Sequence, residues 1–328
     1  MKTTAIALFS GGLDSILAVE VIRRQGIDVH GVMIKTPFFG DDRVFATARS
    51  IDLPLTVLDI TDEYLTMLRN PRYGYGKNMN PCIDCHALMI RKAGDLMTQR
   101  GDGFIVTGEV LGQRPKSQNK QSLAIVEKQS GYPGYVLRPL SARLLPETIP
   151  EQQGIVDRDK LLDIQGRSRR RQLDLAREWG VAGYDTPAGG CRLTDPAYVA
   201  RLRDVFEHQD AVTARDAESL KVGRHLRLDE DTKIVVGRKK SDNEVIEQLF
   251  TEDDVLMTVR DYPGPTTLIP QGGSTEGIRE AAAVTVFYSD APAERSVAVV
   301  VKNGRGESVV YEQAARRESV MEHLITSH

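Results

Sequence analysis

The chain has 328 residues, which suits two domains better than one, since a domain averages roughly 150 residues. Its hydrophobic fraction of 41% and charged fraction of 27% are those of an ordinary globular protein, and no run of about 18 apolar residues could cross a bilayer. The formal net charge of −3 excludes a global attraction to nucleic acid, so any RNA contact has to come from local basic patches.

In the first third of the chain, apolar strand-like runs alternate with helical segments, which predicts an α/β fold with a doubly wound parallel sheet. The predicted strands are Ala5–Phe9, Val29–Ile34, Leu55–Leu58 and Phe104–Thr107. The predicted helices are Ser15–Gln25, Asp42–Ser50 with Asp41 as its cap, Asp62–Leu68 and Cys85–Gln99. The apolar N-terminal run leads straight into a glycine motif, so we interpret it as a strand rather than a signal peptide.

Two further helices are predicted at 168–179 and 195–208, and the character of the sequence changes after about Ala211. Short segments rich in Val, Ile and charge are then separated by Gly, Pro and Asp turns. These strand-like segments are Lys233–Val236, Val255–Val259, Ala283–Tyr288 and Ser296–Val301. We therefore expect a nucleotide-binding domain at 1–210 and a smaller α+β domain at 211–328.

A glycine-rich loop, Ser10-Gly11-Gly12-Leu13-Asp14-Ser15, stands between the first strand and the first helix. Backbone amides and the helix dipole converge on an anion at such a position, and glycines let a phosphate approach closely. The plainer interpretation is a strand-to-helix turn with Asp14 as a helix cap. The chain contains no G-x-x-x-x-G-K-S/T string, so transfer of a γ-phosphate in the Walker manner would lack its lysine.

The complete loop resembles the PP-loop of the N-type ATP pyrophosphatases, which have the adenine nucleotide alpha hydrolase-like fold. The resemblance implies that the loop binds the pyrophosphate of ATP and that attack occurs at the α-phosphate, giving an adenylated substrate. It also implies that Asp14 positions Mg²⁺ at the leaving group. The ATP-site residues expected on this basis are Ser10, Gly11, Gly12, Asp14, Ser15, Ile34, Thr107, Gly108 and Gln113.

The segment at 107–113, Thr-Gly-Glu-Val-Leu-Gly-Gln, follows the fourth strand, at the sheet edge where open α/β folds bind ligands. It resembles the T-G-E-x-x-G-Q segment of the tRNA 4-thiouridine synthases, in which a serine and a glutamine also follow; here these are Ser117 and Gln118. The sequence departs from that pattern at Arg114, Pro115 and Lys116. The two added positive charges could contact phosphate of ATP or RNA, or be solvated.

Two of the three cysteines, Cys82 and Cys85, open the fourth predicted helix, where the helix dipole would stabilise a thiolate. The segment at 85–91 resembles the C-x-x-x-M-x-R helix of the 4-thiouridine synthases. Cys191 ends a glycine-rich loop that begins at Thr186, at the place where those synthases keep their sulfur-accepting cysteine. A buried thiol acting as a small apolar residue is the plainer alternative.

The cysteines leave two mechanisms open. In one, Cys191 carries a persulfide that Cys85 or Cys82 resolves. In the other, all three ligate an iron–sulfur cluster of the 4Fe–4S or 3Fe–4S type, as their arrangement resembles that of the cluster-dependent tRNA thiolases. Zinc is a third alternative and would need a fourth ligand such as His86. A C-x-x-C pair without a disulfide framework indicates a reducing compartment, so we expect the cytoplasm.

Two regions are candidates for RNA contact. Four arginines crowd the start of the predicted helix at 168–179, where they could meet phosphate or form a solvated face: Arg167, Arg169, Arg170 and Arg171. In the second domain, Val222-Gly223-Arg224-His225 and the segment at 235–240 with Asn243 resemble the RNA-binding domain of the NFACT proteins.

Together these motifs predict an ATP-dependent tRNA sulfurtransferase that adenylates a uridine and replaces its oxygen with sulfur, of the 4-thiouridine or 2-thiouridine type. Its expected partners are tRNA and a sulfur donor, either a cysteine desulfurase or sulfide, with no membrane. One alternative is a PP-loop ligase that delivers nitrogen and would have no use for Cys191. Another is an RNA-binding module with a degenerate ATP site, which the intact residues of the loop argue against.

Overall fold

The computed structural model describes residues 4–40, 42–184 and 191–326. The chain divides into two compact units, Met1–Thr194 and Asp195–His328. The boundary therefore lies before the helix predicted at 195–208, not after residue 210 as we expected, and this helix belongs to the second unit. The predicted cap Asp41 and residues 186–190 of the loop before Cys191 lie outside the described residues.

The described part of the first unit contains a five-stranded sheet with the order β3-β2-β1-β4-β5, and every neighbouring pair is parallel. The strands are β1 (Thr4–Leu8), β2 (Asp28–Lys35), β3 (Leu55–Asp59), β4 (Phe104–Thr107) and β5 (Val136–Leu137). The predicted α/β class and the four predicted strands are confirmed. Strand β5 was not predicted, because two apolar residues are too few to form a recognisable pattern.

Helices flank this sheet. They are α1 (Leu13–Arg23), α2 (Arg43–Ser50), α3 (Thr61–Arg69), α4 (Cys82–Arg100), α5 (Lys120–Ser130), α6 (Ile149–Gln152) and α7 (Arg170–Glu178). Helix α1 packs against β1, β2, β4 and α7, and its Leu13, Ile16 and Ile22 are fully buried. Each such side chain contributes about 1.5–3 kcal/mol by leaving water, so the helix that starts at the glycine loop is firmly anchored.

Helix α5 was missed by the sequence analysis although its end signals are present. The side chain of Asn119 accepts a hydrogen bond from the backbone N–H of Ser122, and Gly131 ends the helix in the left-handed conformation with φ +86°. Both are ordinary helix boundary signals. The helix adds Glu127 to an ion cluster in the interior of the unit.

This ion cluster joins four elements around the buried carboxylate of Glu109, which follows β4. Arg138, just after β5, donates from Nε to Glu109 Oε2 at 2.9 Å and from Nη1 to Glu127 Oε2 at 2.9 Å. His86 of α4 lies with Nδ1 at 2.7 Å from Glu109 Oε1, and the Thr107 hydroxyl donates to Oε2 at 3.1 Å. Burial opposes ionisation of Glu109, but the charge of Arg138 and the contact with His86 outweigh it and lower its pKa to about 2.

The second unit contains, within its described residues, a six-stranded sheet with the order β11-β10-β8-β9-β7-β6 and antiparallel pairing throughout. The strands are β6 (Arg224–Arg227), β7 (Lys233–Val236), β8 (Val255–Val259), β9 (Thr267–Ile269), β10 (Val297–Asn303) and β11 (Gly306–Glu312). The helices are α8 (Pro196–His208), α9 (Ala214–Ser219), α10 (Lys240–Leu249), α11 (Thr275–Phe287) and α12 (Arg317–Glu322).

The strand predicted at 283–288 is wrong, because these residues continue helix α11. Its middle is apolar on every side, with Ala281, Ala282, Val284 and Val286 all buried, and periodicity cannot distinguish such a run from a buried strand. The cap identifies the helix: the Ser274 side chain accepts a hydrogen bond from the N–H of Gly277 at 2.9 Å. Across the described residues, no helix is both long and apolar enough to span a bilayer.

We expect Glu109→Gln to lower the free energy of unfolding of the first unit by about 3 kcal/mol at pH 7, because it deprives the buried Arg138 charge of a partner. The folded-state pKa of Glu109 lies below its ordinary value of 4.5, so its stabilising contribution is present above that value and is lost as pH falls toward 2. The deficit of the variant should therefore shrink across this window.

Urea unfolding at pH 7, 4.5 and 3 measures both effects. The control is Glu63→Gln, since the Glu63 side chain pairs with Lys92 at the surface and should contribute less than about 1 kcal/mol. A deficit that is the same at all three pH values would contradict the assigned ionisation of Glu109.

Candidate nucleotide and thiol site

The predicted phosphate loop leaves the start of helix α1 open. Gly11 uses the left-handed region with φ +72°, whereas Gly12 is extended, and no side chain among the described residues caps the first turn. The Ser15 hydroxyl donates to the Gly12 carbonyl at 2.7 Å, which fixes the loop against the helix. Free backbone N–H groups at a buried helix start attract an anion, so the loop has the form that a phosphate site requires.

Asp14 is held from one side only. Gln113 donates from Nε2 to its Oδ2 at 3.1 Å, and Nη2 of Arg169 lies 3.9 Å from the same oxygen. The other oxygen, Oδ1, is buried and has no hydrogen-bond partner in the part of the chain that the structure describes. An unpartnered buried carboxylate oxygen is costly unless a ligand binds it, and Mg²⁺ prefers carboxylate oxygens. Asp14 thus fits the predicted magnesium site, and as the second residue of α1 it does not act as the helix cap.

The segment that begins at Thr107 lies directly on the loop. A β-carbon at Gly108 would stand 2.7 Å from the backbone carbonyl carbon of Asp14 and from the backbone N of Ser15, closer than real contacts allow. Only glycine therefore permits this approach. The structure brings together the predicted residues of both segments, and Ile34 is buried near the end of the adjacent strand β2.

The three cysteine thiols are electrostatic neighbours of Tyr64, a residue of α3 that the sequence analysis did not select. Each thiol is near enough to raise the pKa of this hydroxyl, although burial is the larger cause. The rings of Phe38 and Phe39 stand 5.3 Å from that of Tyr64, measured between centroids. The Cys85 thiol faces the hydroxyl without hydrogen-bond geometry, so among the described residues this fully buried oxygen has no good partner.

The segment that starts at Cys191 is fixed by two neighbouring loops. The backbone N–H of Arg192 donates to the Phe38 carbonyl at 3.4 Å, and Asn78 donates from Nδ2 to the Thr194 carbonyl at 2.9 Å. The Thr194 hydroxyl in turn donates to the carbonyl of Cys191 at 2.7 Å. These bonds place Cys191 beside the aromatic cluster, as the prediction of one site for all three cysteines requires.

The predicted thiolate at the start of α4 is wrong. Burial raises the pKa of Cys85 to about 12 and that of Cys191 to about 11, and it also raises the pKa of Cys82, whose thiol donates to Asn80 Oδ1 at 3.1 Å. Desolvation of the charged form is the largest cause at each of the three thiols, and it outweighs the helix dipole. All three are therefore protonated at neutral pH.

Arg114 opposes this effect at every thiol. Its positive charge favours the thiolate forms of Cys82, Cys85 and Cys191, and Lys116 adds to it at Cys82. The two basic residues that depart from the 4-thiouridine synthase pattern thus act on the thiols, whereas we had expected ATP, RNA or solvent around them. Gln113 contacts Asp14 in the phosphate loop, and the next residue, Arg114, acts electrostatically on the thiols. These two consecutive residues therefore connect the loop with the cysteines.

Within the residues that the structure describes, no three His, Cys, Asp or Glu side chains are placed to hold a metal ion. His86 faces Glu109, so a zinc site that recruits it does not fit the geometry. The three thiols are electrostatic neighbours but do not converge as ligands. This arrangement of side chains therefore does not fit an iron–sulfur cluster, and the cluster stays a prediction.

The predicted arginine cluster is divided by the structure. Arg169 points to Asp14 at the phosphate loop, and Arg171 pairs with Asp163 at 2.7 Å between Nη2 and Oδ1. The RNA-binding role of Arg167 and Arg170 stays a prediction. In the sequence, Arg169 stands in a dense run of like charge that does not distinguish it from the neighbouring arginines.

Comparison with known proteins confirms both sequence resemblances. Residues 1–143 match the family described as thiamine biosynthesis protein (ThiI), and residues 223–324 match the NFACT protein RNA binding domain. The tRNA-specific 2-thiouridylase MnmA of Methylobacterium sp. (strain 4-46) is 26% identical over 250 residues, which cover 68% of this chain and 61% of that relative. The chain thus spans about three fifths of the length of this relative.

Two further proteins illustrate the range of similarity. The tRNA sulfurtransferase of Desulfurococcus amylolyticus is 32% identical over 153 residues, covering 42% of this chain and 29% of that protein. A crystal structure of a 4-thiouridine synthetase–RNA complex with bound ATP is 21% identical with a TM-score of 0.40, covering 59% of this chain and 42% of that one. A structural likeness of this size adds nothing to the sequence matches.

We expect Tyr64→Phe to leave the free energy of unfolding unchanged or to raise it by up to about 1 kcal/mol, because the removed hydroxyl is buried without a good partner. The matched control is Tyr198→Phe, since the Tyr198 hydroxyl is also buried but donates to the Ala217 carbonyl at 2.8 Å. That control should lose about 1 kcal/mol or more in urea unfolding. Equal losses in the two variants would mean that the Tyr64 hydroxyl is satisfied.

Proposed function

We propose that this chain is an ATP-dependent tRNA sulfurtransferase, which adenylates a uridine of tRNA and then replaces the activated oxygen with sulfur. One observation carries the proposal: Gln113 binds Asp14 of the phosphate loop, while the next residue, Arg114, acts electrostatically on all three thiols. An adenylating loop and a group of cysteines in one site are what replacement of oxygen by sulfur requires. The ThiI match at 1–143 and the thiouridylase relatives support the same reaction.

In the first step, the uracil carbonyl oxygen attacks the α-phosphorus of ATP, and the bond from this phosphorus to the bridging oxygen of pyrophosphate breaks. The glycine loop and the start of α1 would bind the phosphates. Asp14 would hold Mg²⁺ through Oδ1, and the bound ion would neutralise negative charge on the leaving pyrophosphate. Arg169 lies near Oδ2 of the same carboxylate and adds a second positive charge beside the leaving pyrophosphate.

In the second step, the terminal sulfur of a persulfide on Cys191 attacks the activated carbon, and AMP leaves with the former uracil oxygen. The thiol of Cys85 or Cys82 then attacks the Cys191 sulfur, forming a disulfide and leaving the transferred sulfur on the base. A thiol reductant restores the cysteines, and a cysteine desulfurase then transfers its persulfide sulfur to Cys191. Where sulfide is the donor, it attacks the Cys191 sulfur of the disulfide instead, which re-forms the persulfide and releases the other cysteine as a thiol. The buried aromatic cluster around Tyr64 would keep water from the adenylate.

A ligase that delivers nitrogen to an adenylated nucleoside is the second candidate. It is favoured by one observation, the raised pKa values of the buried thiols, which keep them protonated in the absence of substrate. Such a ligase would use the same phosphate loop but would not depend on Cys191. The cysteine variants below separate the two candidates.

We expect Asp14→Ala to lower pyrophosphate release by about 100-fold or more while the fold is retained, because the magnesium site at the leaving group is lost. Asp14→Asn, which keeps the shape and removes the charge, should have a similar effect. Asp174→Ala is the control, since Asp174 is an exposed residue of α7 that pairs with Arg177 at the surface. Retention of ATP–pyrophosphate exchange by the Asp14 variants would refute the assignment of the loop.

We expect Cys191→Ser to abolish tRNA thiolation while ATP–pyrophosphate exchange persists, because the variant loses the sulfur carrier and keeps the phosphate loop. In a persulfide relay either Cys82 or Cys85 can be dispensable, since one resolving thiol suffices, whereas a cluster needs all three thiolates. Mass spectrometry of tRNA nucleosides measures the product. Iron and acid-labile sulfide in anaerobically purified protein report a cluster. Full thiolation by Cys191→Ser would contradict both routes. ATP–pyrophosphate exchange without any thiolated nucleoside, in the wild-type chain as well as in Cys191→Ser, would favour the nitrogen-delivering ligase.

A further inference from the structure

A groove lies on the first unit between helices α3 and α4, and its described lining includes no residue of the phosphate loop. The residues of α4 that line it stand at spacings of three and four, so they form one face of that helix. The cavity measures about 510 Å³, within the roughly 300–1,000 Å³ of sites that bind organic groups. Its lining includes Met67, Arg72, Asp84, Leu88, Arg91 and Gln129.

Two exposed arginines give the groove a positive charge. Arg72 donates from Nη1 to the side-chain oxygen of Gln129 at 3.0 Å, and Arg91 donates from Nη2 to the Gln129 carbonyl at 2.6 Å. Within the described part of the chain, neither guanidinium has a carboxylate partner, and the end of α5 supplies only the partial negative charge of a helix C-terminus. Gln129 therefore orients both guanidinium groups without neutralising them.

The two carboxylates that line the groove are already engaged. Glu63 Oε1 lies 2.5 Å from Lys92 Nζ, and this ion pair joins α3 to α4. Asp84 accepts hydrogen bonds from two backbone N–H groups, from Arg72 at Oδ1 and from Tyr73 at Oδ2, each at 3.0 Å. The charge of the two guanidinium groups is thus available to an acidic partner.

Apolar side chains distinguish this groove from a site for nucleic acid. Met67, Ala87 and Leu88 line it, and its described lining includes no aromatic ring on which a base could stack. The carboxylates of Glu63 and Asp84 would also stand beside any phosphate chain. Arginine and methionine are enriched where proteins contact each other. The groove therefore fits an acidic protein segment with a large apolar side chain better than it fits RNA.

The groove adjoins the thiol site. Asp84, which lines it, stands between the first two cysteines in the first turn of α4. The loop from α3 to α4 starts at the groove, where Asp84 binds the backbone of Arg72. Farther along the same loop, Asn78 donates to the carbonyl of Thr194, in the segment that starts at Cys191. A protein bound in the groove would thus lie next to the elements that carry the thiols.

We propose that this groove is the docking site of the protein that donates sulfur, a cysteine desulfurase that presents an acidic segment with a large apolar side chain. The inference rests on the proposed function, which requires a sulfur donor for Cys191. Carboxylates of the donor pair with the guanidinium groups of Arg72 and Arg91, which can bind them through two N–H groups each. The apolar side chain of the donor contacts Met67 and Leu88.

Sulfur transfer between the docked proteins needs no further reactant. The Cys191 sulfur attacks the terminal sulfur of the donor's persulfide, and the S–S bond of the donor breaks with its electron pair on the donor cysteine. The proton of the Cys191 thiol passes to that cysteine. Cys191 therefore ends as a persulfide and the donor ends as a thiol.

The test compares two sources of sulfur. Thiolation of a tRNA transcript is measured with a cysteine desulfurase of the same organism and L-cysteine, and separately with sodium sulfide, which needs no docking surface. The groove variant combines Arg72→Glu with Arg91→Glu. Its matched control combines Arg49→Glu with Arg143→Glu, two exposed arginines of the same unit that do not line the groove.

We expect the groove variant to raise the apparent KM for the desulfurase about tenfold, because like charges then face each other across the contact. Its rate with sulfide should equal that of the wild-type chain, and the matched control should resemble the wild-type chain with both sources. The increase in KM should shrink as the KCl concentration rises, since salt screens exposed charges. ATP–pyrophosphate exchange and thermal unfolding establish that each variant is folded.

A second variant tests the apolar contact. Leu88→Ala should raise the KM for the desulfurase about fivefold at every KCl concentration, because the lost contact carries no charge. Leu173→Ala, at an exposed position of α7, is its control and should leave this KM unchanged. Fluorescence anisotropy with the tRNA transcript measures RNA binding, which both groove variants should retain.

The outcomes separate this inference from the proposed function. Groove variants that use the desulfurase as well as their controls do, in a chain that thiolates tRNA, would overturn the inference alone. Equal losses with both sulfur sources, or weaker tRNA binding, would assign the groove to the fold or to RNA and would also overturn it. A wild-type chain that thiolates with sulfide but not with the desulfurase would do the same. A wild-type chain that forms no thiolated nucleoside with either source would overturn the proposed function together with the inference.

Discussion

The buried carboxylate of Glu109 contacts three side chains at once, and both halves of the candidate site in the first unit depend on that arrangement. Through Arg138 it is joined to the end of β5 and to α5, and through His86 to the helix that carries Cys82 and Cys85. Glu109 itself belongs to the segment that supplies Gly108, Gln113 and Arg114. A buried ion cluster is weak support for stability by itself, but here it ties the helix that carries Cys82 and Cys85 to the segment that carries Gly108 and Gln113.

Burial opposes ionisation of both the carboxylate of Glu109 and the cysteine thiols, but only the carboxylate has a charged partner that compensates. At Glu109 the charge of Arg138 compensates for lost hydration, so the carboxylate is ionised and its pKa falls. The thiols have Arg114 and, at Cys82, also Lys116 as favourable charges, but these do not compensate for the loss of hydration, so the thiols are protonated. A thiol in such a place becomes reactive when another charge or a bound sulfur changes its surroundings, which links the chemistry of the cysteines to occupancy of the site.

The strands and the phosphate loop could be predicted because their signals are local: apolar runs of strand length and a glycine string between strand and helix. Features that depend on contacts between distant residues could not. Arg169 resembled part of a surface charge cluster until α7 placed it beside Asp14, and Tyr64 resembled an ordinary core residue of α3. Helix α11 was mistaken for a strand because its second half is an almost continuous apolar run that is largely buried. The pKa values of the thiols depend on burial by residues that are distant in the sequence, and the position of Cys82 and Cys85 at the start of a helix does not reveal that burial.

The contact at Gly108 has a consequence for how this site can vary. Main chain meets main chain there, with no side chain between the segment after β4 and the first turn of α1. The gap between the two nucleotide-binding segments is thus set by the van der Waals radii of backbone atoms. Substitutions around the site can alter its charge, its acidity and its access to water, but they cannot adjust its width by small steps. At position 108 the smallest change, a single methyl group, already exceeds the available space.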